Sequence, residues 1–213
     1  MSTIAIIGSG NVGRAIAESA VRAGHEVVMA SRDPGHASAA AAASGARSAS
    51  SPAVAVAGAD IVILAVPAQA HAEVAAAVGG LLEGRIVVDT SNKPTPNLED
   101  LDADPTSSAE RLQRLLPDAR VVKAFNTAFA ARMTDPTVDG VETDGFVSAD
   151  EIGAREAVLA LVGDLGFHPV DAGPLANARA LEALAWLNIY LNMTHGGSWQ
   201  GGWKLVEPDA IAA

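Results

Sequence analysis

The stretch Ile4-Ala5-Ile6-Ile7-Gly8-Ser9-Gly10-Asn11-Val12-Gly13 decides the fold, because an apolar run passes directly into a G-x-G-x-x-G turn and then into a helical pattern. Each glycine in that setting has its own task. Gly8 permits the tight turn, Gly10 lets the backbone approach a pyrophosphate with no Cβ in the way, and Gly13 lets the helix lie close to the strand. The N–H groups that open the helix, around Ser9, Asn11 and Val12, then face the negative charge of a dinucleotide.

A second strand, Glu26 to Ala30, follows at the distance of a βαβ unit and ends at Ser31-Arg32. NAD and flavin adenine dinucleotide normally meet a carboxylate at that point, which accepts hydrogen bonds from the ribose hydroxyls. A hydroxyl and a guanidinium suit a ribose 2′-phosphate instead, so the pair predicts NADP(H). Two alternatives stand beside it. Arg32 is a solvated loop residue, or Asp33 supplies the ribose carboxylate from a strand end displaced by two residues.

Outward from this unit, short apolar runs alternate with amphipathic or Ala-rich stretches, the pattern of βα units feeding a mainly parallel sheet. Strands are predicted over Thr3 to Ile7, Glu26 to Ala30, Ile61 to Val66, Arg85 to Asp89, Arg120 to Ala124, Asp144 to Ser148 and Phe167 to Asp171, with a weaker one near Ala46. Helices are predicted over Asn11 to Ala23, Ala37 to Ala43, Ser51 to Ala57, Gln69 to Val78, Ser107 to Leu115, Ala149 to Leu165 and Leu175 to Met193. Lys93 to Thr106 reads as a surface loop. The expected fold is α/β, a Rossmann-type doubly wound, mainly parallel sheet with a C-terminal helix and tail. Residues 1–172 form the NADP-binding domain, and residues 173–213 pack on that same domain.

Composition narrows the partners. The 213 residues carry a formal net charge of −11, which offers no electrostatic footprint for nucleic acid or an anionic membrane. Cysteine is absent, so thiolate chemistry, disulfides and Cys-ligated metals are excluded. The N-terminal apolar run is too short for a secretory signal and no stretch reaches the length of a membrane span, so a cytoplasmic protein is expected.

Several further strings resemble one known group. The glycine loop, Ser31-Arg32, Val66-Pro67, Lys123-Ala124-Phe125-Asn126-Thr127 and Asp171-Ala172-Gly173-Pro174-Leu175 resemble the NADP oxidoreductases dependent on coenzyme F-420. The resemblance spans almost the whole chain, and its later two strings are the more particular to the group. It implies hydride exchange between NADPH and the deazaflavin F-420. Relatives of the group include the NADPH-binding domain of membrane ferric reductases, which serves a flavin.

The catalytic inventory agrees with chemistry between two cofactors. There is no S-x-x-x-Y-x-x-x-K arrangement, Tyr190 being the one tyrosine, no His–Asp pair at a suggestive spacing and no metal cluster. Hydride exchange between stacked rings needs no acid at the receiving carbon; the protein must hold the rings about 3 to 3.5 Å apart. No catalytic residue is therefore assigned.

Ligands of an open parallel sheet gather beyond the carboxyl ends of the strands, which places Ala65-Val66-Pro67, Ser91-Asn92-Lys93-Pro94 and Asn126-Thr127 around the nicotinamide. Asn126 is expected to position the carboxamide or the acceptor ring, or to tie its own turn. Lys93 offsets charge on the acceptor or a phosphate, or is solvated. His71, one turn into the helix after Val66-Pro67, either contacts ligand or lies on an exposed helix face, the plainer expectation, and His168 and His195 are expected in structural roles.

The helix from Leu175 carries apolar residues on more than one face, which predicts a homodimer interface or deep burial. Trp199 and Trp203 either cover the second cofactor or fill core gaps. Small-molecule redox cofactors are the expected partners. Reduction of a flavin, quinone, imine or carbonyl by NADPH, and NADPH sensing without turnover, are the alternatives in function.

Overall fold

The computed structural model describes residues 1–93 and 105–206. The chain opens with β1 (Thr3–Ile7), α1 (Asn11–Arg22), β2 (Glu26–Ala30), α2 (Pro34–Ser44), β3 (Arg47–Ser48), α3 (Pro52–Val56) and β4 (Ile61–Leu64). It continues through α4 (His71–Val78), β5 (Ile86–Asp89), α5 (Ser108–Leu115), β6 (Arg120–Ala124), α6 (Ala130–Thr134), β7 (Thr137–Val138) and β8 (Val141–Glu142). The last elements are β9 (Asp144–Ala149), α7 (Ile152–Asp164), β10 (His168–Asp171) and α8 (Ala178–Thr194). The loop expected over Lys93 to Thr106 lies mostly outside the described residues, as does Pro94.

Ile4, Ala5 and Ile6 have no exposed surface, because β1 lies inside an eight-stranded sheet of order β10-β9-β6-β5-β4-β1-β2-β3. A strand covered on both faces has no polar face, and so reads as a continuous apolar run. Alternate side chains serve different layers. Ile4 and Ile6 join Ile16, Ala20, Met29 and Val158 in one core, while Ala5 and Ile7 join Val56, Val62, Leu82 and Leu112 in the other. The expected doubly wound α/β architecture is what forms.

Parallel register runs from β3 to β6 and aligns Ile7 with Ala30 and Leu64, Leu64 with Asp89, and Asp89 with Lys123. These residues form one row across the sheet, and the chain leaves it toward a common end. Gly8, Ser31 and Ala65 each stand one step beyond that row. β6 then pairs antiparallel with β9, so β9 and β10 run against the other six strands. The chain leaves β6 and enters β9 at the same end of the sheet, which needs only a short connection and no crossover helix. α6 and the β7–β8 hairpin supply it, and neither was expected from the sequence.

Element ends follow their caps. α2 starts at Pro34 rather than Ala37 because the Asp33 carboxylate accepts from the N–H groups of Gly35 and His36 and Pro34 is pre-set for the first turn. α7 starts at Ile152 rather than Ala149 because Ala149 still belongs to β9 and Glu151 caps the helix. α1 stops before Gly24, whose φ is +88°. No helix among the described residues is long and apolar enough to cross a membrane.

Candidate functional site

The turn after β1 is built by steric exclusion. Gly8 has φ +122°, and a Cβ there would sit 2.2 Å from the Ala65 carbonyl oxygen; a Cβ on Gly13 would sit 2.2 Å from the carbonyl oxygen of Gly8. Gly10 differs, because nothing lies within 4 Å of where its Cβ would stand. That empty position faces the cleft, as expected where a backbone must admit a pyrophosphate. Gly10 also caps α1 with no side-chain acceptor, so the first N–H groups of α1 have no capping partner.

The cleft has a volume of about 770 Å³ and runs between the ends of β1, β2 and β4. It brings together eight of the residues singled out in the sequence: Gly8, Ser9, Gly10, Ser31, Arg32, Ala65, Val66 and Pro67. β4 ends at Leu64, two residues sooner than expected, which frees Ala65 and Val66 to line it. Asn11 faces a neighbouring cavity of about 480 Å³ between α1 and α2, together with Ser9, Arg14 and His36. Val12 packs against the core and Gly13 lets α1 approach β4, so these two build the turn from behind.

At the β2 end, the Arg32 side chain is 89% exposed, with Nη1 4.0 Å from Glu73 Oε2 across the cleft. An ion pair so exposed is worth little, which leaves the guanidinium disposable toward a ligand. Ser31 Oγ donates to the Asp33 carbonyl at 2.7 Å. The Asp33 carboxylate caps α2, and the N–H groups of His36 and Gly35 with the nearby His36 ring hold it below the usual carboxylate range. Both backbone bonds fall on Oδ1, while Oδ2 stands outside the cap and Asp33 lines the cleft beside Arg32, so the structure leaves the alternative of Asp33 as the ribose ligand standing. His36 lines both cavities and was missed in the sequence, since one histidine in a helix carries no signal there.

The ends of β5 and β6 carry a different chemistry. Lys123 has no exposed surface, and its Nζ donates to Asp89 Oδ2 (3.0 Å), Glu182 Oε1 (2.9 Å), Ser108 Oγ (2.8 Å) and the Ser91 carbonyl. Burial pushes the Asp89 carboxyl up, but the Lys123 ammonium, His71 and the Ser108 hydroxyl outweigh it and hold Asp89 well below the usual range. His71 is a correction to the expected exposed face. It is buried, with Nε2 3.4 Å from both Asp89 Oδ1 and Ser91 Oγ. A His–Asp pair that no sequence spacing indicated is thus assembled by the pairing of β4 with β5.

Asn126 is 6% exposed and ties neither to its own turn nor to solvent. Its Nδ2 donates to Asn92 Oδ1 (2.8 Å) and to the Leu181 carbonyl (3.1 Å), and Asn92 Nδ2 returns a bond to the Asn126 carbonyl (3.1 Å). Asn126 Oδ1 is buried with no partner among the described residues. Such an acceptor is costly unless a ligand group donates to it. The turn that aims Asn126 this way is strained: Phe125 has φ +64°, held there by a buried ring edge-on to Phe167 at 6.3 Å. Thr127 is buried beside it, and Lys93, half-buried, gives its backbone N–H to Glu182 Oε2 at 3.4 Å.

The C-terminal tail lies along the sheet end beside α6. The Trp199 ring, 43% exposed, meets Phe129 edge-on at 5.2 Å, and Arg132 donates to Gln200. The Trp203 carbonyl accepts from the Asp144 N–H, while Lys204 Nζ and His168 Nδ1 both lie 2.9 Å from Asp144 Oδ1. Neither tryptophan belongs to the two main cores.

Residues 3–93 match the family model described as NADP oxidoreductase, coenzyme F-420-dependent. The F-420-dependent NADP reductase of Methanothermobacter thermautotrophicus is 31% identical over 208 residues, 89% of each chain. Human metalloreductase STEAP2 is 30% identical over 182 residues; the match takes 85% of this chain but 35% of that one, so this chain spans about a third of the metalloreductase. A solved Arthrobacter structure, described as a candidate F-420-dependent NADP reductase, superposes with a TM-score of 0.86 at 30% identity, covering 97% of this chain and all of that one.

Proposed function

This chain belongs to the coenzyme F-420-dependent NADP oxidoreductase family, and on that footing we propose that it transfers a hydride between NADPH and the deazaflavin F-420. The observation that carries the NADP half is the cleft itself. A Cβ on Gly10 would meet nothing within 4 Å, the start of α1 has no side-chain cap, and Ser31 and Arg32 line the β2 end of the cleft, which supports binding of a pyrophosphate and a ribose 2′-phosphate there.

When bound, the reduced nicotinamide supplies the hydride and F-420 receives it. The residues of this chain bind and orient. Gly8, Ser9 and Gly10 hold the pyrophosphate, Arg32 and Ser31 select the phosphorylated ribose, and Ala65, Val66 and Pro67 form an apolar wall. Asn126 Oδ1, buried and without a partner among the described residues, is the acceptor we assign to an amide N–H such as that of the nicotinamide carboxamide. Lys93, Asn126 and Thr127 do not line the cleft itself, and we place them beyond it, on the nicotinamide side at the ends of β5 and β6.

Anaerobic mixing of the chain and NADPH with F-420, FMN, FAD and a quinone, following nicotinamide absorbance, tests the reading. Turnover with F-420 alone is expected. Flavin turnover at equal or greater efficiency would overturn it in favour of the alternative that the similarity to part of a metalloreductase keeps in view. Tight NADPH binding without any turnover would make the chain a sensor.

We also propose that α8, with the tail after it, forms a homodimer face. Leu187, Tyr190, Leu191 and Met193 are exposed, and residues 186–194 include no charged side chain. A chain of net charge −11 repels its copies least where it carries no charge.

A further inference from the structure

Four elements meet on the Lys123 ammonium: β5 through Asp89, the segment after it through the Ser91 carbonyl, α5 through Ser108 and α8 through Glu182. A second set of bonds closes the circuit. Asn92, next to Ser91, exchanges two hydrogen bonds with Asn126; Asn126 donates to Leu181, next to Glu182; and Asn126 returns to Lys123 through the left-handed turn at Phe125. Every link is a directed hydrogen bond or a run of at most three peptide bonds.

We propose that Lys123 is a positioning residue for the nicotinamide half of the site, a role that rests on the NADP reading above. Stability alone does not account for it. An ammonium and two carboxylates held inside a core are generally no better for stability than apolar side chains of similar volume. Apolar packing would hold α8 against the sheet, but it would leave the rotation of α8 and the course of Ser91-Asn92 loosely determined. Hydrogen bonds with direction set both. Asn126 Oδ1 is the acceptor that this frame leaves over, and it stays in place only while Asn92 and the Leu181 carbonyl hold the amide nitrogen.

The adenosine half of the cleft shares none of these bonds, so the two halves should respond separately. Calorimetric titration of the full chain with adenosine 2′,5′-bisphosphate, which reaches only the Arg32 end, and with NADP, which reaches both ends, reads the difference. In Glu182→Gln, which keeps the side-chain volume, and in Lys123→Met, the bisphosphate Kd should stay within about twofold of wild type. The NADP Kd should rise, and kcat with NADPH fall, each on the order of tenfold. Glu110→Gln loosens α5 from α8 outside the circuit and should move neither Kd.

If Lys123→Met does not fold, Glu182→Gln decides the question. Equal loss of both ligands, no loss of either, or the same NADP loss in Glu110→Gln would overturn the positioning role while leaving the NADP reading intact. Failure of the wild-type chain to bind the bisphosphate would overturn the NADP reading and this role together.

Discussion

An alanine at Gly8 places a Cβ 2.2 Å from a backbone carbonyl at φ +122°, whereas an alanine at Gly10 meets no protein atom within 4 Å. Gly8→Ala should therefore lose at least about 1–3 kcal/mol from backbone strain alone, visible as a fall in Tm. Gly10→Ala should stay within about 0.5 kcal/mol of wild type yet bind NADP on the order of tenfold or more weakly, and a matching fall in its Tm would refute the open cradle. Arg32 is exposed and weakly paired, so Arg32→Ala should leave Tm unchanged. It should raise KM for NADPH roughly ten- to a hundredfold, the worth of one charge-assisted contact, while KM for NADH changes by about twofold or less; equal changes in both would refute the 2′-phosphate assignment. Gly8, Gly10 and Arg32 were legible in the sequence because each acts within a few residues of β1 or β2. His71, Asp89, Lys123 and Glu182 were not, since their partnership exists only once β4, β5, β6 and α8 are side by side.

Helix α5 shows how an element is fastened at its end. Ser107 and Glu110 form a capping box, and Arg179, one residue into α8, donates to both oxygens of Glu110 at 2.9 and 2.5 Å. The Arg179 bonds, with burial opposing and the N–H and hydroxyl of Ser107 assisting, lower the Glu110 carboxyl from 4.5 to about 2. A depressed carboxylate stabilises the fold fully above its unfolded value and loses that contribution as pH falls through the folded value. The Tm difference between wild type and Glu110→Gln should therefore be full above pH 4.5 and close as pH falls toward about 2; a difference that persists at the acid end would show that the charge is not its source. The end of α1 was readable from Gly24, whereas the Asp33 and Glu151 caps that start α2 and α7 were missed. The β7–β8 hairpin was missed although Asp139-Gly140, both at positive φ, is the residue pair a two-residue hairpin turn prefers. Strands of two residues are too short to leave a periodic signal.

At the scale of the molecule, a single sheet puts the ends of β1, β2, β4, β5 and β6 on one side, and the proposed site is assembled from loops there. The pairing proposed for α8 belongs to this scale. Sedimentation at micromolar concentration should give a dimer, and Leu187→Glu with Leu191→Glu should give a monomer of nearly unchanged Tm because both side chains are exposed; a monomeric wild-type chain would refute it. The reversal of β9 and β10 lay beyond the sequence, because a buried strand has the same apolar pattern in either direction and only its connection tells them apart. By itself the sequence determined the α/β class, the glycine turn and the residues at the end of β2, all of which depend on local conformation and on periodicity. Only the tertiary structure decided that His71 is buried and that Lys123 gathers two carboxylates. It also decided that Asn126 keeps one acceptor without a partner among the described residues, since burial and hydrogen bonding between distant segments come into being with packing.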